Sequence, residues 1–429
     1  MNPDSYFPDR MNFQRIIDFW RQALSDWNYI FREELRSVVK DQGVLIFFIL
    51  VPLGYPLLYT FIYNEEVVRD VPVAVVDDCR SALSREYLRH LDASPDVRII
   101  SHCANMAEAK DLVKHREAYG VVRIPRDFSE RLMMGQQAYV GAYADMSGML
   151  YYKSVLTANT NVSLDMNARI KVERAGGTTA EQDKVTEHPI AYEEVSLFNP
   201  QNGFATFLIP AVLILIIQQT MLLGVGMSAG TAREKNRFHT LMPIERHHTG
   251  LLRIVQGKAF AYLLVYIPVS VYVLGVVPHL FNLNQIGNPW DIAFFVVPFL
   301  LACIFFAMTV SAFVRNREMC IMLIVFSSVP LLFISGISWP GSAVPGLWKA
   351  ISYVFPSSFG IHGFVAINNM GARLIDVRHD WNILWVQAII YFFTTCTVYR
   401  AAILRSRQRL VEAWKAKRKS YLKAHPNEL

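Results

Sequence analysis

The amino-acid sequence predicts a polytopic α-helical membrane protein with six transmembrane helices and an inserted extracytoplasmic α/β domain. Three observations carry this. Six long apolar stretches contain no Asp, Glu, Lys or Arg, basic residues collect in alternate connections between them, and one connection changes to βα periodicity. The stretches are Gly43–Tyr63, Val195–Ala232, Ala259–Trp290, Ile292–Val314, Met319–Trp348 and Trp381–Tyr399. A helix needs roughly 20 such residues to cross a hydrocarbon core of about 30 Å. The 53% hydrophobic content decides little by itself, because soluble domains approach it. The unbroken runs decide the class. Val195–Ala232 and Met319–Trp348 are each too long for one crossing; the first begins in the inserted domain and the second continues into a re-entrant region.

Residues 1–43 hold an amphipathic helix at the cytoplasmic interface. Ile16, Trp20, Leu24, Trp27, Phe31, Leu35 and Val38 recur every three or four positions over 12–40, so they share one face, with Arg15, Arg21, Asp26 and Arg32 elsewhere. Such a helix rests in the headgroup layer with its aromatic rings buried; the same spacing would also serve a coiled-coil seam. The first span, 44–64, starts more than forty residues in and lacks a cleavage-site pattern, so it reads as a retained helix and not a signal peptide.

Residues 65–198 alternate strand and helix. Val71–Val76, Val97–Ile100, Gly120–Ile124 and Ala138–Tyr143 read as strands, and Ser81–Leu91, Asn105–Ala118 and Phe128–Met134 as helices. Alternation of this kind predicts a largely parallel sheet with right-handed crossovers. A long helix follows Gly148, then a loop over Ala175–Lys184 and a candidate returning strand over Ile190–Leu197. Cys79 and Cys103 each follow a strand, and neighbouring strands lie about 4.8 Å apart, so they are a candidate disulfide; the other reading is two free thiols. Asp77-Asp78 suggests paired catalytic carboxylates, but no second acid, nucleophile or metal cluster accompanies them, and helix capping ahead of Ser81 is the better reading.

Residues 199–403 carry the second to sixth spans. The connection 233–258 runs from Arg233, Glu234 and Lys235 to Gly257 and Lys258, and Gly250–Gln256, including Leu251 and Leu252, reads as a short amphipathic helix along the membrane. The plainer reading is a solvated basic loop. His239, His247 and His248 lie in it without a thiol or carboxylate spaced to complete a metal site. Region 336–372 is apolar yet broken by Pro340, Pro345 and Pro356, which predicts two short re-entrant helices packed against protein. The tail, 404–429, is basic. Basic residues before the first span, after the second and fourth, and in the tail place those segments and both termini in the cytoplasm. The net charge of +6 follows from this topology and from anionic lipid; no nucleic-acid-binding motif accompanies it.

The spans hold almost no ionisable group, with His279 near a helix end the exception. Ion-coupled transporters need such groups in the bilayer. Gln218 and Gln219 in the second span are polar, serving as glue between helices or as lining of a substrate path. The P-loop pattern is absent, since Gly257-Lys258 is followed by Ala259. No catalytic residue, metal or bound cofactor is expected of this chain.

Several runs resemble the ABC-2 class of exporter permeases with a large domain between the first two spans. They are Val-Pro-Val-Ala-Val-Val-Asp-Asp at 71–78, Ser84, Ser94-Pro-Asp-Val, Met106-Ala-Glu-Ala, Gly120-Val-Val-Arg-Ile-Pro, Asp127-Phe-Ser, and Ser335-Gly-Ile-Ser-Trp-Pro with Pro345 and Pro356. The connection resembles the class at Arg233-Glu234 and Gly257-Lys258 and departs at Phe238 and His239, where the family tends to Gly-Thr and a later Pro. The resemblance implies a type V exporter-like fold in a bacterial inner membrane. It also implies a second permease copy, identical or paralogous, two ABC ATPase subunits that carry the ATP and Mg, and often a periplasmic adaptor with an outer-membrane channel. Arg233, Glu234, Lys235, Gly250, Leu251, Leu252, Gly257 and Lys258 would couple to the ATPase, and the second and fifth spans would line the dimer interface and the path. A charge-poor path suits a drug, lipid or peptide-like cargo. The competing expectation is a receptor whose α/β domain binds a ligand, although only the basic tail, with no signalling domain, follows the last span.

Overall fold

The computed structural model describes residues 13–176, 179–188, 190, 195–200, 202–245, 249–336, 339 and 341–424. The chain divides into a span-bearing unit, up to Asn64 and from Gly203 onward, and a second unit, Glu65–Asn202.

Among the described residues of the span-bearing unit, six helices are long and apolar enough to cross a membrane: Gln42–Ile62, Phe204–Glu234, Gly250–Leu280, Pro289–Val310, Arg317–Ile334 and Arg378–Arg418. Asp41 starts the first by accepting the backbone N–H groups of Gly43 (3.1 Å) and Val44 (3.4 Å), the usual satisfaction of orphan donors at a helix start. The second span is the hub: 89% of its most apolar stretch is buried, against 13% for the fifth. Small residues let neighbours approach it. A Cβ added at Gly224 would stand 2.1 Å from the Phe48 ring of the first span. The enclosure of the second span leaves little of it to face another copy, so of the two spans expected at a dimer interface only the fifth presents an open face. After the fifth span, Gly346–Ser352 and Pro356–Met370 form two helices bent by 87° at Tyr353–Phe355; Ile337, Ser338 and Pro340 lie outside the described residues.

The third span begins earlier than its charge-free stretch suggests. Gly250–Gln256 is not a separate helix along the membrane but the opening turns of a helix that continues to Val271 and, through a wide turn, to Leu280. No proline interrupts Gly250–Lys258, and the charges of Arg253 and Lys258 find buried partners, described below.

The second unit is a four-stranded sheet in the order β2-β1-β3-β4, with β1 Val71–Asp77, β2 Val97–His102, β3 Gly120–Ile124 and β4 Gly141–Ala144. β1 is parallel to both β2 and β3, whereas β4 is antiparallel to β3. Helices Ala82–Asp92 and Met149–Ala175 cover one face and Met106–Lys114 the other, giving two separate apolar cores. Ala180–Glu187 is a helix where a loop was expected, started by a reciprocal Thr179–Gln182 capping box. The candidate strand Ile190–Leu197 lies partly outside the described residues, and Val195–Leu197 form no strand.

The two cysteines are free. Cys103 packs with Ala74 and Val76 on one face of the sheet, while Cys79 packs with the core on the other. A position past a strand end can turn to either face, and here the two turn opposite ways. Burial works against the Cys79 thiolate, but hydrogen bonds from Ser81 and Ser129 outweigh it and draw the pKa below its ordinary value. Cys103 is 7% exposed. The expected result of alkylation at neutral pH in the folded protein is modification of Cys79 with Cys103 spared. Identical mass maps with and without reductant are expected; a mass difference would restore the bridge.

Candidate functional site

Among the acids of the N-terminal helix α1, Phe13–Lys40, Asp26 and Glu34 are eight positions apart on one side of the helix, and Asp41 follows seven positions on, just past its end. Each meets a base from a span. Asp26 pairs with Arg253 at 2.8 Å, with side chains 13% and 6% exposed. Glu34 pairs with Lys258 and accepts hydrogen bonds from Tyr262 and from Ser228 (3.3 Å). Asp41 pairs with Arg317 and accepts from Thr231 at 3.3 Å. The Trp27 and Phe31 rings stack on one another and both abut Phe260, and Gly257 lies where a Cβ would meet Ile30 at 2.9 Å. Ile30, Glu34 and Val38 are buried, whereas Trp20 and Leu24 stay open, as suits contact with lipid. The helix is therefore clamped to the starts of the third and fifth spans.

Burial alone would raise the pKa of Glu34, yet the nearby Lys258 ammonium and the hydrogen bonds from Lys258, Tyr262 and Ser228 hold it below its ordinary value. Asp41 behaves alike: burial opposes ionisation, and the Arg317 guanidinium with the Val44 N–H outweighs it. Both carboxylates are charged at neutral pH. A buried carboxylate without its cation would be strongly unfavourable.

This geometry redistributes the residues expected to couple to an ATPase. Arg233 donates to the carbonyls of Ala312 (2.9 Å) and Val314, strapping the second span to the connection between the fourth and fifth. Glu234 accepts the Arg317 N–H at 3.2 Å. Gly250 and Gly257 are buried, Leu251 is half-buried, and Lys258 is committed to Glu34. Lys235 and Leu252 are exposed, with Arg237, Thr240 and Pro243 beside them on short helical turns over Arg237–Leu241 and Met242–Glu245. Sequence reasoning missed these three acids, because it sets Asp26 off the apolar face and does not weigh Glu34 or Asp41. Their spacing at eight and seven positions was the available signal.

Gln218 is buried and accepts the Ser357 N–H at 2.6 Å, joining the second span to the start of helix Pro356–Met370. Its neighbour Gln219 has both amide atoms buried without a hydrogen-bond partner among the described residues. Asp77 accepts from the N–H groups of Cys79 and Arg80 and from the Ser84 hydroxyl, and Asp78 pairs with Arg123 at 3.0 Å, so both carboxylates serve the turn and the sheet. No group of three His, Cys, Asp or Glu able to hold a metal occurs among the described residues; His247 and His248 lie outside them, as does the His239 side chain.

Six apolar helices, a broken pair and a clamped N-terminal helix mark a multi-pass membrane protein. The ABC-2 family transporter protein family matches residues 43–396, and the chain belongs to that family. It is also similar to the linearmycin resistance permease protein LnrN of Bacillus subtilis (strain 168), with 24% identity over 401 residues covering 84% of this chain and 96% of the relative.

Proposed function

We propose that the chain is the membrane subunit of an ATP-binding cassette exporter that moves an apolar or amphipathic compound out of the cytoplasm or inner leaflet. Both termini and the 233–249 connection then face the cytoplasm, where a separate ATPase binds ATP and Mg, and the α/β unit lies outside. The observation that carries this reading is an exposed connection seated on a rigid base. Lys235, Arg237 and Leu252 are open to a partner, while Arg233, Arg253 and Lys258 around them are locked into the spans. Force applied to the open residues reaches the first, third and fifth spans together through α1. The basic-residue asymmetry supports the orientation, and the Bacillus relative is named for resistance, which suits outward movement. Gln219 offers an unpartnered amide to a cargo within the spans. Two copies meeting through the open face of the fifth span complete the transporter, and in a cell with two membranes the α/β unit meets an adaptor and outer-membrane channel.

The test is co-purification with an ABC ATPase subunit and measurement of its ATP hydrolysis in lipid. Lys235→Glu is expected to lower association about tenfold or more by charge reversal at an exposed contact, with thermal unfolding unchanged. Absence of any ATPase association for the wild-type chain would defeat the reading.

A further inference from the structure

A cavity of about 940 Å³ lies where the second span ends, the fourth meets the fifth and the sixth leaves its apolar stretch. Its charge is one-sided. Arg233, Arg315, Arg405 and Arg409 line it, against Glu234 as the single carboxylate, and Glu234 already accepts the Arg317 N–H. Among the described residues, none of Arg315, Arg405 and Arg409 is paired with a carboxylate, although all three are exposed. The lining also includes apolar side chains, Phe313, Met319 and Val398, and Phe313 is 67% exposed.

The depth of this cavity is set by the sixth span. Thr397 and Val398 belong to its charge-free stretch, and Arg405 and Arg409 follow on the same helix. At about 1.5 Å per residue the arginines stand roughly 10–17 Å beyond, at headgroup level. Clustered guanidinium groups match phosphate oxygens in fork geometry. Basic pockets between membrane helices suit anionic headgroups, and the volume lies within the range of about 300–1,000 Å³ typical of ligand sites. A soluble anion would leave Phe313 and Met319 unmatched; a lipid matches both the basic and the apolar parts of the lining.

We propose that this cavity is a binding site for the phosphate headgroup of an anionic phospholipid, with the start of its acyl chains against Phe313 and Met319. The proposal rests on membrane insertion and not on the direction of transport.

The test is native mass spectrometry of the full chain in detergent with added phosphatidylglycerol or phosphatidylcholine. Wild type is expected to retain phosphatidylglycerol preferentially, and Arg405→Gln/Arg409→Gln to lose about 10- to 30-fold of that preference, while Arg405→Lys/Arg409→Lys keeps most of it. Should the glutamine pair not fold, salt titration of the wild type decides, with a preference that falls as salt rises in support and a salt-independent one against. Equal retention of the two lipids, or an unchanged preference in a folded glutamine variant, overturns the proposal. So does displacement by millimolar inorganic phosphate, which marks a site for a free anion. A glutamine variant that loses ATPase association with lipid preference intact marks a protein contact and overturns it equally.

Discussion

Lys258→Met is expected to destabilise the protein by about 3–5 kcal/mol, the cost of leaving a buried carboxylate without its cation. Glu34 is 6% exposed and its oxygens are directed at Lys258, Tyr262 and Ser228. Methionine preserves the bulk of lysine but not the charge, so the loss reports the ion pair and not packing. The measurement is unfolding of the purified protein in detergent. Glu34→Gln combined with Lys258→Met should recover part of the loss, because no unpaired charge remains. The pair also sets a pH dependence. Glu34 has a folded pKa held below its ordinary 4.5. Its contribution is therefore fully present above 4.5 and is lost as pH falls through the lower folded value. Wild type is expected to lose stability on acidification below 4.5, and the double variant to lose less. A Lys258→Met protein as stable as wild type would remove α1 from the account.

Gly250→Val is expected to disable transport more than stability. A Cβ at Gly250 would stand 1.8 Å from the Ile244 carbonyl oxygen and 2.8 Å from its carbon. These are backbone atoms, so the connection from Met242–Glu245 to the third span must open. Overpacking of this kind costs about 1–3 kcal/mol, but it falls at the junction through which an ATPase on the exposed connection would move the third span. The expected result is ATP-driven transport lowered about tenfold or more, with the unfolding midpoint moved only a few degrees. Gly275→Ala is the control, since a Cβ there meets nothing within 4 Å. Wild-type transport by Gly250→Val would show that this junction carries no force.

The spans were legible in the sequence because a charge-free run of about 20 residues has few alternatives to a membrane helix. The alternation of β-branched runs with helical segments exposed the α/β unit for a similar reason. The errors arose where partners distant in sequence decide local structure. Gly250–Gln256 looked detached from the third span because Arg253 and Lys258 read as the polar edge of a loop; only the acids of α1 make those charges tolerable inside a packed helix. The antiparallel direction of β4 leaves no local trace, since a strand has the same period of two in either direction. Cys79 and Cys103 follow adjacent strands, as expected, but the face to which each turns depends on Ser81, Ser129 and Ala109 around them. Gln218 was read as glue or path lining, and its bond to Ser357 favours the first.

As the proposed membrane subunit of an exporter, the chain would convert ATP hydrolysed by a separate subunit into outward movement of an amphipathic compound. The most direct measurement is a fluorescent amphiphile in proteoliposomes holding the chain with its ABC ATPase, with ATP supplied on the ATPase side. Movement away from the ATPase side is expected, requiring ATP, both subunits and an intact Glu34–Lys258 pair. Movement independent of ATP, or in the opposite direction, would contradict it.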